Sequence, residues 1–424
     1  MPSSKGWDQH DFKTVFKRHT NFAVEPIAQT FQGTVGGGRK VTAVISRNGD
    51  LLGDMYLEAT LTKAAADTFY PAEQLVKSIT VELGGQQLDK LTSTWYRIYD
   101  NLYRNTATDR DAYKAMTDFV DGEATGTKKK FFVPVLFWFC RSPGNYLPLI
   151  ALQYHELRVT FEFDDLTNIP GVDASAGLDA TLWADYIFLD QEERKKFASQ
   201  PSEYLIEQIQ FTGDESVAIS TTANKSQQIR LSMNHPTKML AFVIADPATH
   251  GKFAAGAAGV TAEALAPLQS AKLLLNGHDR TDVRSGSVYN RVYPYQANKA
   301  FPDAGVYLMN FALSPMQHSP SGSLNMSRID SAVLALTFKQ ADKAGSATNI
   351  ANVTDPETST IADAANLSAL RVFGVNFNVL RIMSGINYLC QTVGCFVGSN
   401  SPNGDKQCKN WGFDQSPYNL LVAA

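Results

Sequence analysis

Apolar and polar residues alternate one by one along several stretches of this 424-residue chain. In residues 55–61 and 157–163 every second side chain is apolar, from Met55 to Leu61 and from Leu157 to Phe163. Because neighbouring side chains of a strand point to opposite faces, each stretch predicts a strand with one buried and one wet face. Such strands are typical of antiparallel sheets that cover a core on one side. The pattern therefore predicts an all-β protein.

The same order of segments occurs twice along the chain, and the offset between the copies drifts only through loop lengths. The matching segments are 78–86 with 270–278, 95–99 with 289–293, 135–143 with 307–315, and 157–163 with 332–338, at offsets of 192, 194, 172 and 175. Such internal similarity indicates a repeated structural unit. Two copies of one all-β unit are typical of a building block rather than of an enzyme.

Turn residues separate the predicted strands. The pair Asn48-Gly49 follows a strand at 41–46 and predicts a β-hairpin. Its counterpart in the second copy is residues 234–237, which precede a predicted strand at 239–244.

Helical stretches are few. Thr92 or Ser93 is expected to cap a short helix that carries Trp95 on its apolar face. A second helix is expected over residues 190–197, where charged side chains form a linker between the two copies. The longest apolar run, residues 131–140, is interpreted as a buried strand.

Length and composition narrow the class of protein. A single hydrophobic core usually stops growing near about 250 to 300 residues, so this chain is expected to form two domains. A net charge of -4 and a pI near 6.0 argue against nucleic acid as a direct partner. Residues 1–11 lack the apolar core of a secretory signal, and the longest apolar run is shorter than the roughly 18 to 20 residues of a membrane span. Neither secretion nor membrane insertion is expected.

No set of residues with catalytic spacing is found. The seven histidines are scattered, and none occurs in His-x-His or His-Glu-x-x-His, the ligand pairs of common metal sites. The Gly-x-Ser-x-Gly motif of nucleophilic hydrolases is also missing from the sequence. The sequence thus predicts no enzyme, no catalytic residues, no metal site and no cofactor.

Three of the four cysteines, Cys390, Cys395 and Cys408, lie within the last forty residues. Four cysteines are too few for a disulfide scaffold, so synthesis in a reducing compartment is expected. Buried thiols are the favoured interpretation of these three. A labile disulfide formed after release from the cell, or a contact made by the tail, stays open, and a zinc site lacks a fourth ligand nearby.

Four Asn-x-Ser/Thr triplets occur, at Asn224, Asn325, Asn352 and Asn366. Glycosylation requires an exposed asparagine and a competent pathway. Asn352, Asn366 and Asn224 are the candidate sites, and Asn352 is preferred because it lies in a long polar loop at 339–367. Asn325 lies close to a predicted strand and is expected to be unmodified.

Several longer strings occur in a characteristic order. They are FKTVFKRHTNF at 12–22, ISRNGDL at 45–51, YPAE at 70–73, LPLIALQYHE at 147–156, EYLIEQ at 203–208, HPTK at 235–238 and NVLRIMSG at 378–385. With these strings the chain resembles the double jelly-roll major capsid proteins of nucleocytoplasmic large DNA viruses, in particular their chlorella virus branch. The resemblance covers about residues 12 to 385.

The resemblance implies a fold of two tandem eight-stranded antiparallel jelly rolls with short helices in loops. The expected division is an N-terminal arm at 1–21, a first jelly roll at 22–196, a linker at 197–202, a second jelly roll at 203–385 and a C-terminal extension at 386–424. Three subunits would form a pseudo-hexagonal capsomer that tiles an icosahedral outer shell. Its expected partners are further copies of itself and minor capsid proteins, in a virion whose proteins are made in the host cytoplasm.

Two other functions compete with this one. A carbohydrate-binding sandwich for host attachment is the alternative, although the loops 254–266 and 340–366 contain none of the aromatic residues that usually bind glycans. A jelly-roll enzyme lacks its metal ligands. The arm before Phe12 is shorter than the family pattern and the cysteine-bearing tail extends beyond it, so the chain is expected to be a paralogue with a specialised position in the shell.

Overall fold

The computed structural model describes residues 19–64, 71–119, 123–152, 155–169, 171–217, 223–245, 267–300, 302, 305–339, 369–383 and 386–390. Within these residues the chain forms two β-sandwiches, each built from two antiparallel sheets. The first sandwich contains β1 (Phe22–Gln29), β2 (Phe31–Gln32), β3 (Lys40–Val44), β4 (Leu51–Thr62), β5 (Val76–Leu83), β6 (Gln86–Thr92), β7 (Lys128–Pro134), β8 (Leu147–Pro148), β9 (Leu157–Phe163) and β10 (Asp179–Leu189).

The second sandwich repeats this arrangement. Its strands are β11 (Ser202–Ser216), β12 (Lys225–Leu231), β13 (Pro236–Ala245), β14 (Leu268–Leu275), β15 (His278–Asp279), β16 (Arg284–Ser285), β17 (Val306–Asn310), β18 (Leu324–Asn325), β19 (Ala332–Phe338), β20 (Ala369–Met383) and β21 (Ile386–Cys390).

Both sandwiches have the same strand order. The sheets β1-β10-β4-β7 and β11-β20-β13-β17 correspond, as do β3-β9-β5-β6 and β12-β19-β14-β15. Counting eight principal strands per sandwich, one sheet has the order 1-8-3-6 and the other 2-7-4-5. Most consecutive strands therefore lie in different sheets, which is the jelly-roll arrangement. The prediction of two tandem jelly rolls is confirmed.

Helices lie between the strands and at their ends. They are α1 (Pro71–Leu75), α2 (Ser93–Tyr103), α3 (Ala107–Thr117), α4 (Gln191–Ser199) and α5 (Tyr293–Asn298), with a π-helix at Val288–Val292 and 3-10 helices at Trp138–Cys140, Pro143–Asn145, Leu149–Ala151, Leu166–Asn168, Ala174–Ala176 and Met326–Arg328.

Local sequence explains the ends of several elements. Thr92 caps α2 as predicted, because its Oγ1 accepts a hydrogen bond from the main-chain N–H of Trp95 at 3.4 Å. Asp190 caps α4, the predicted charged helix between the copies. The paired segments at 78–86 and 270–278 both form a strand followed by a tight turn with positive φ at two successive residues. Gly84-Gly85 and Asn276-Gly277 suit this turn, because glycine and asparagine adopt positive φ most easily.

Two local predictions were wrong. Asn48-Gly49 does not close a hairpin, since β3 pairs with β9 whereas β4 pairs with β10 in the other sheet. The turn carries the chain from one sheet to the other, and Gly49 is required there because an added Cβ would lie 2.9 Å from Cβ of Tyr186. The run 131–140 is only partly a strand. It leaves the sheet after Pro134 and forms a 3-10 helix at Trp138–Cys140.

Candidate functional site: the joint between the sandwiches and its uncovered counterpart

One sheet of the second sandwich is buried on both faces. In β20, Leu370 and Val372 point into the core of the second sandwich, whereas Phe373 and Val375 pack with the core of the first sandwich. The first sandwich covers this outer face of β11-β20-β13-β17 with α2, β6 and the turn at 138–141. We call this contact the joint.

Glu207 on β11 lies at the centre of a charged cluster in the joint. Its side chain is 2% exposed and accepts a hydrogen bond from Nη1 of Arg141 in the first sandwich at 2.8 Å. It also accepts one from Nζ of Lys238 on β13, and Lys238 donates a further bond to the main-chain oxygen of Gln317 at 3.2 Å. Nδ1 of His318 lies 3.4 Å from Oε1 of Glu207. Buried charges are tolerated when they are paired and hydrogen-bonded in this way.

The partners of Glu207 keep it ionised. Burial by itself would raise its pKa, but the hydrogen bond from His318 and the charges of Lys238 and Arg141 lower the pKa to about 2. Burial lowers the pKa of Lys238, and its pairing with Glu207 opposes that change. Glu207 therefore stays ionised at neutral pH and lies against the buried amine of Lys238.

Asp89 on β6 connects the two sandwiches at a second point. Its Oδ1 accepts hydrogen bonds from the main-chain N–H groups of Ile209 on β11 at 3.0 Å and of Lys90 at 2.9 Å. Nearby, Nε2 of Gln208 donates to the main-chain oxygen of Leu88. Burial raises the pKa of Asp89 to about 7. The joint therefore contains one carboxylate that titrates near neutral pH.

Two further polar contacts tie α2 to the second sandwich. Arg371 on β20 donates to Oγ1 of Thr94 at 2.6 Å and forms a bidentate pair with Asp214 at 2.7 and 3.0 Å. Asn298 in α5 donates through Nδ2 to two carbonyl oxygens at the C-terminus of α2, both at 3.0 Å. These carbonyl groups have no partner within their own helix, so Asn298 acts as a cap supplied by the other sandwich.

The duplication assigns each residue of the joint a counterpart elsewhere in the chain. In the first core Leu57 on β4 is paired with Leu182 on β10, and in the second core Phe242 on β13 is paired with Val372 on β20. Leu57 therefore corresponds to Phe242, and Leu182 corresponds to Val372. The short strands β8 and β18 pair with the starts of β4 and β13 at positions that agree with the same alignment. Both sheets also carry a bulge at the matching point. The two sheets can therefore be superposed residue by residue.

The outer face of the sheet in the first sandwich is only partly covered by the described residues. Tyr56 and Trp183 take the places of Ala241 and Phe373, which are buried in the joint. The two aromatic rings stack at 6.4 Å, and Phe132 meets Tyr56 edge-on at 6.1 Å. Tyr56 and Trp183 are half-buried and Phe132 is exposed. We call this surface, together with the outward side of β1, the open face.

The charged centre of the joint has an apolar counterpart. By the pairing of β1 with β10 and of β11 with β20, Val24 takes the place of Glu207. The sequences Arg141-Ser142-Pro143 and Leu313-Ser314-Pro315 match in the segments after β7 and β17, and this match sets Leu313 against Arg141, although the segment that leads to Leu313 is shorter. Val24 is 52% exposed and Leu313 is 84% exposed.

The segments of the second sandwich that correspond to α2 and β6 also leave apolar side chains exposed. The π-helix at Val288–Val292 and α5 stand where α2 stands in the first sandwich, and the region from β15 to β16 corresponds to β6. With residues 311–315 after β17, and apart from Asn298, which caps α2 in the joint, they form what we call the open ridge. Of nine large apolar side chains exposed in the described ranges, all but Met116 and Phe211 lie on the open face or the open ridge: Phe22, Val24, Phe132, Val283, Val292, Tyr295 and Leu313.

The predicted modification and tail residues are only partly placed. Asn224 is exposed immediately before β12. Asn325 is half-buried and caps a 3-10 helix through Oδ1. Asn352, Asn366, Cys395 and Cys408 lie outside the described residues, and Cys390 is described only as the last residue of β21. The loops 254–266 and 340–366 likewise lie outside them.

A search of the described ranges for groups of three or more His, Cys, Asp or Glu side chains able to hold a metal ion found none. Over the same ranges, no helix has the length and apolar character that a membrane crossing requires.

Two family models match the chain in succession. Residues 11–190 match "Major capsid protein N-terminus", and residues 193–387 match "Large eukaryotic DNA virus major capsid protein". The major capsid protein of Paramecium bursaria Chlorella virus 1 is 45% identical over 411 residues, which cover 89% of this chain and 93% of the relative. That of Pyramimonas orientalis virus is 40% identical over 410 residues, covering 89% and 92%.

Solved structures agree with these relatives. The crystal structure of PBCV-1 VP54, fitted into a reconstruction of the virophage Sputnik, has a TM-score of 0.83 at 44% identity and covers 89% of this chain and 99% of that chain. The Faustovirus major capsid protein has a TM-score of 0.65 at 14% identity, covering 88% and 92%. The latter supports the fold alone.

Proposed function

The chain belongs to the family of large eukaryotic DNA virus major capsid proteins, and we propose that three copies of it close into a pseudo-hexagonal ring of six sandwiches that tiles the icosahedral outer shell. Its role is structural, as a capsid protein of the virion shell. Its relatives are structural proteins rather than enzymes, and we infer that it has no catalytic activity of its own.

One observation carries the proposed ring. Inside the chain, the face of the second sandwich is buried by the ridge of the first sandwich, whereas the equivalent face and ridge are both present a second time with apolar side chains exposed. An open face on one copy and an open ridge on the next make a head-to-tail contact. Head-to-tail contacts give closed rings when the rotation closes. With two sandwiches per chain, a ring of six requires three chains.

The remaining expectations extend this proposal. We infer synthesis in the host cytoplasm, contacts with neighbouring capsomers and minor capsid proteins, and no direct contact with nucleic acid. The carbohydrate-binding alternative is not favoured, because the named relatives are capsid proteins. A secondary attachment of the shell to host glycans stays a proposal.

We also propose the division of the chain at the linker 197–202 and a tail after residue 385 that contacts neighbouring proteins through its cysteine-bearing segment. Asn224 is the proposed glycosylation site that the structure describes, and it is exposed. Asn352 and Asn366 stay proposals from the sequence. Intact-mass and peptide mass spectrometry of virion protein would test all three asparagines.

Light scattering on the purified chain, followed by negative-stain imaging of the main species, tests the ring. A particle of about 140 kDa, three times the chain mass of 46.5 kDa, with a hexagonal outline is the expected result. A stable monomer at micromolar concentration would contradict the proposal.

A further inference from the structure

We propose that Val24 on the open face of one copy receives Leu313 on the open ridge of a second copy, in the place that Glu207 and Arg141 occupy in the joint. This inference rests on the proposed ring and names the residues at the centre of its contact. The occupant of the open face is thus the open ridge of another copy of this chain.

The joint itself supplies the geometry of the contact. Arg141 follows β7 and reaches Glu207 on β11 at 2.8 Å, so the turn after this strand is where a ridge touches a face. Leu313 lies in the shorter segment after β17 and is set against Arg141 by the sequence match, and Val24 lies on β1 at the position that Glu207 has on β11. The two counterparts are both apolar and both exposed. Each belongs to a surface that groups several exposed apolar side chains, and such groups are expected at an interface.

The loop that carries Leu313 is held in place by its own hydrogen bonds. The main-chain N–H of Leu313 donates to the oxygen of Ser321 at 3.3 Å, and the N–H of Ser314 donates to Oγ of Ser321 at 2.9 Å. Gly322 has a φ of +128° and lies against the main chain of Phe311, which closes the base of the loop. Leu313 is therefore presented at a defined position rather than on a loose end.

The change of polarity also determines which sandwiches can pair. If the ridge with Leu313 docked on the face with Glu207, Leu313 would cover the carboxylate without replacing the Arg141 guanidinium. If the ridge with Arg141 docked on the face with Val24, the guanidinium would be buried without a carboxylate. Burying a charge without its partner is strongly unfavourable, and specificity often depends on such unfavourable alternatives. The mismatch therefore disfavours an exchange of ridges between the joint and the contact of two copies.

Charge substitutions test the contact directly. We expect Val24→Glu to weaken association about a hundredfold or more, because the new carboxylate would be buried against Leu313. The double variant Val24→Glu, Leu313→Arg should recover most of the loss, since it rebuilds the pair found in the joint. Met116→Glu is the matched control, because Met116 is an exposed apolar residue outside both surfaces. Association is measured by sedimentation velocity over a concentration series.

Cysteine pairing gives an independent measurement. Chains with Val24→Cys and chains with Leu313→Cys, both in a background with Cys390, Cys395 and Cys408 changed to serine, should yield a covalent dimer on a non-reducing gel when mixed and mildly oxidised, whereas each variant alone should not. A chain with both substitutions should yield covalent trimers. Three results together overturn the assignment of Val24 and Leu313. They are an unchanged association of Val24→Glu relative to wild type, a double variant that associates no more tightly than Val24→Glu, and the absence of any cross-link. A wild-type chain that is monomeric would instead overturn the ring itself.

Discussion

Replacement of Glu207 by glutamine tests whether the charged cluster stabilises the joint. Glutamine keeps the shape of the side chain but removes the negative charge, which leaves Lys238 buried at 1% exposure without an anion. Removal of one member of a buried ion pair typically costs about 3 to 5 kcal/mol. The lowering of the pKa of Glu207 from 4.5 to about 2 corresponds to a stabilisation on the order of 3 kcal/mol. Both routes give the same expected loss in the free energy of unfolding.

Scanning calorimetry of Glu207→Gln and wild type at pH 7 would measure this loss. For a domain of 150 to 250 residues, about 3 to 5 kcal/mol lowers Tm by roughly 6 to 20 °C. Glu203→Gln is the control, because Glu203 lies on the same strand and its pair with Arg381 is 38% exposed on both sides. Exposed pairs contribute at most about 1 kcal/mol, so this variant should change Tm little. Two variants with the same Tm would refute the reasoning.

The protonation of Glu207 provides a second check on the same variant. Because its pKa is lower in the folded chain, its contribution is complete above about pH 4.5 and is lost as the pH falls toward 2. The difference in stability between wild type and Glu207→Gln should therefore be constant above pH 4.5 and shrink below it. A difference that does not depend on pH over this range would mean that the charge is not what glutamine removes.

Three further changes have defined expectations. Gly49→Ala should lower the free energy of unfolding in urea by about 1 to 3 kcal/mol, because its Cβ would meet Tyr186. Gly144→Ala is the control, because a Cβ there would have only one side-chain atom nearby, at 4.0 Å, and it should change this free energy by less than about 0.5 kcal/mol. The pKa of Asp89 is raised to about 7, so the folded chain holds this proton more tightly than the unfolded chain. The free energy of unfolding should therefore fall as the pH rises from about 4 to 7. Asp89→Asn should remove that part of the pH dependence, which is measured from urea midpoints at pH 5 and 7.5. Asn298→Ala should cost about 1 to 3 kcal/mol by leaving two carbonyl groups of α2 without donors, and Asn298→Asp should not restore stability, because a carboxylate cannot donate.

The strands were predictable from the sequence because the alternation of apolar and polar residues is a local pattern within each strand. The alternation in 157–163 and the match with 332–338 correspond to β9 and β19 residue for residue. The turn at Asn48-Gly49 was misassigned for a physical reason. Local turn chemistry determines how the chain reverses, but the partner of the next strand depends on which sheet has a free edge and a core to cover. That information is distributed over β9 and β10, far along the chain.

The joint was not predictable from either copy taken alone. Glu207 lies in a strand whose polar positions are typical of a solvent-exposed face, and it is buried because the first sandwich packs on that face. The pairing with Arg141 spans 66 residues and leaves no local pattern. A signal was nevertheless available in the duplication. Alignment of the two copies sets Glu207 against Val24 and Arg141 against Leu313. A charged pair in one position and an apolar pair in the equivalent position indicate that both positions form contacts, but with different partners.

The difference in polarity between the joint and its counterpart follows from how each contact forms. The two sandwiches of one chain are held together by the covalent linker, so the joint forms at a high effective concentration and tolerates the desolvation of Glu207, Lys238 and Arg141. A contact between separate copies must also overcome the loss of their translational and rotational freedom. Burial of Leu313 against Val24 contributes to that requirement without desolvating a charge. In the proposed ring, the charged joint therefore fixes the shape of the subunit, and the apolar contact provides the driving force for its closure.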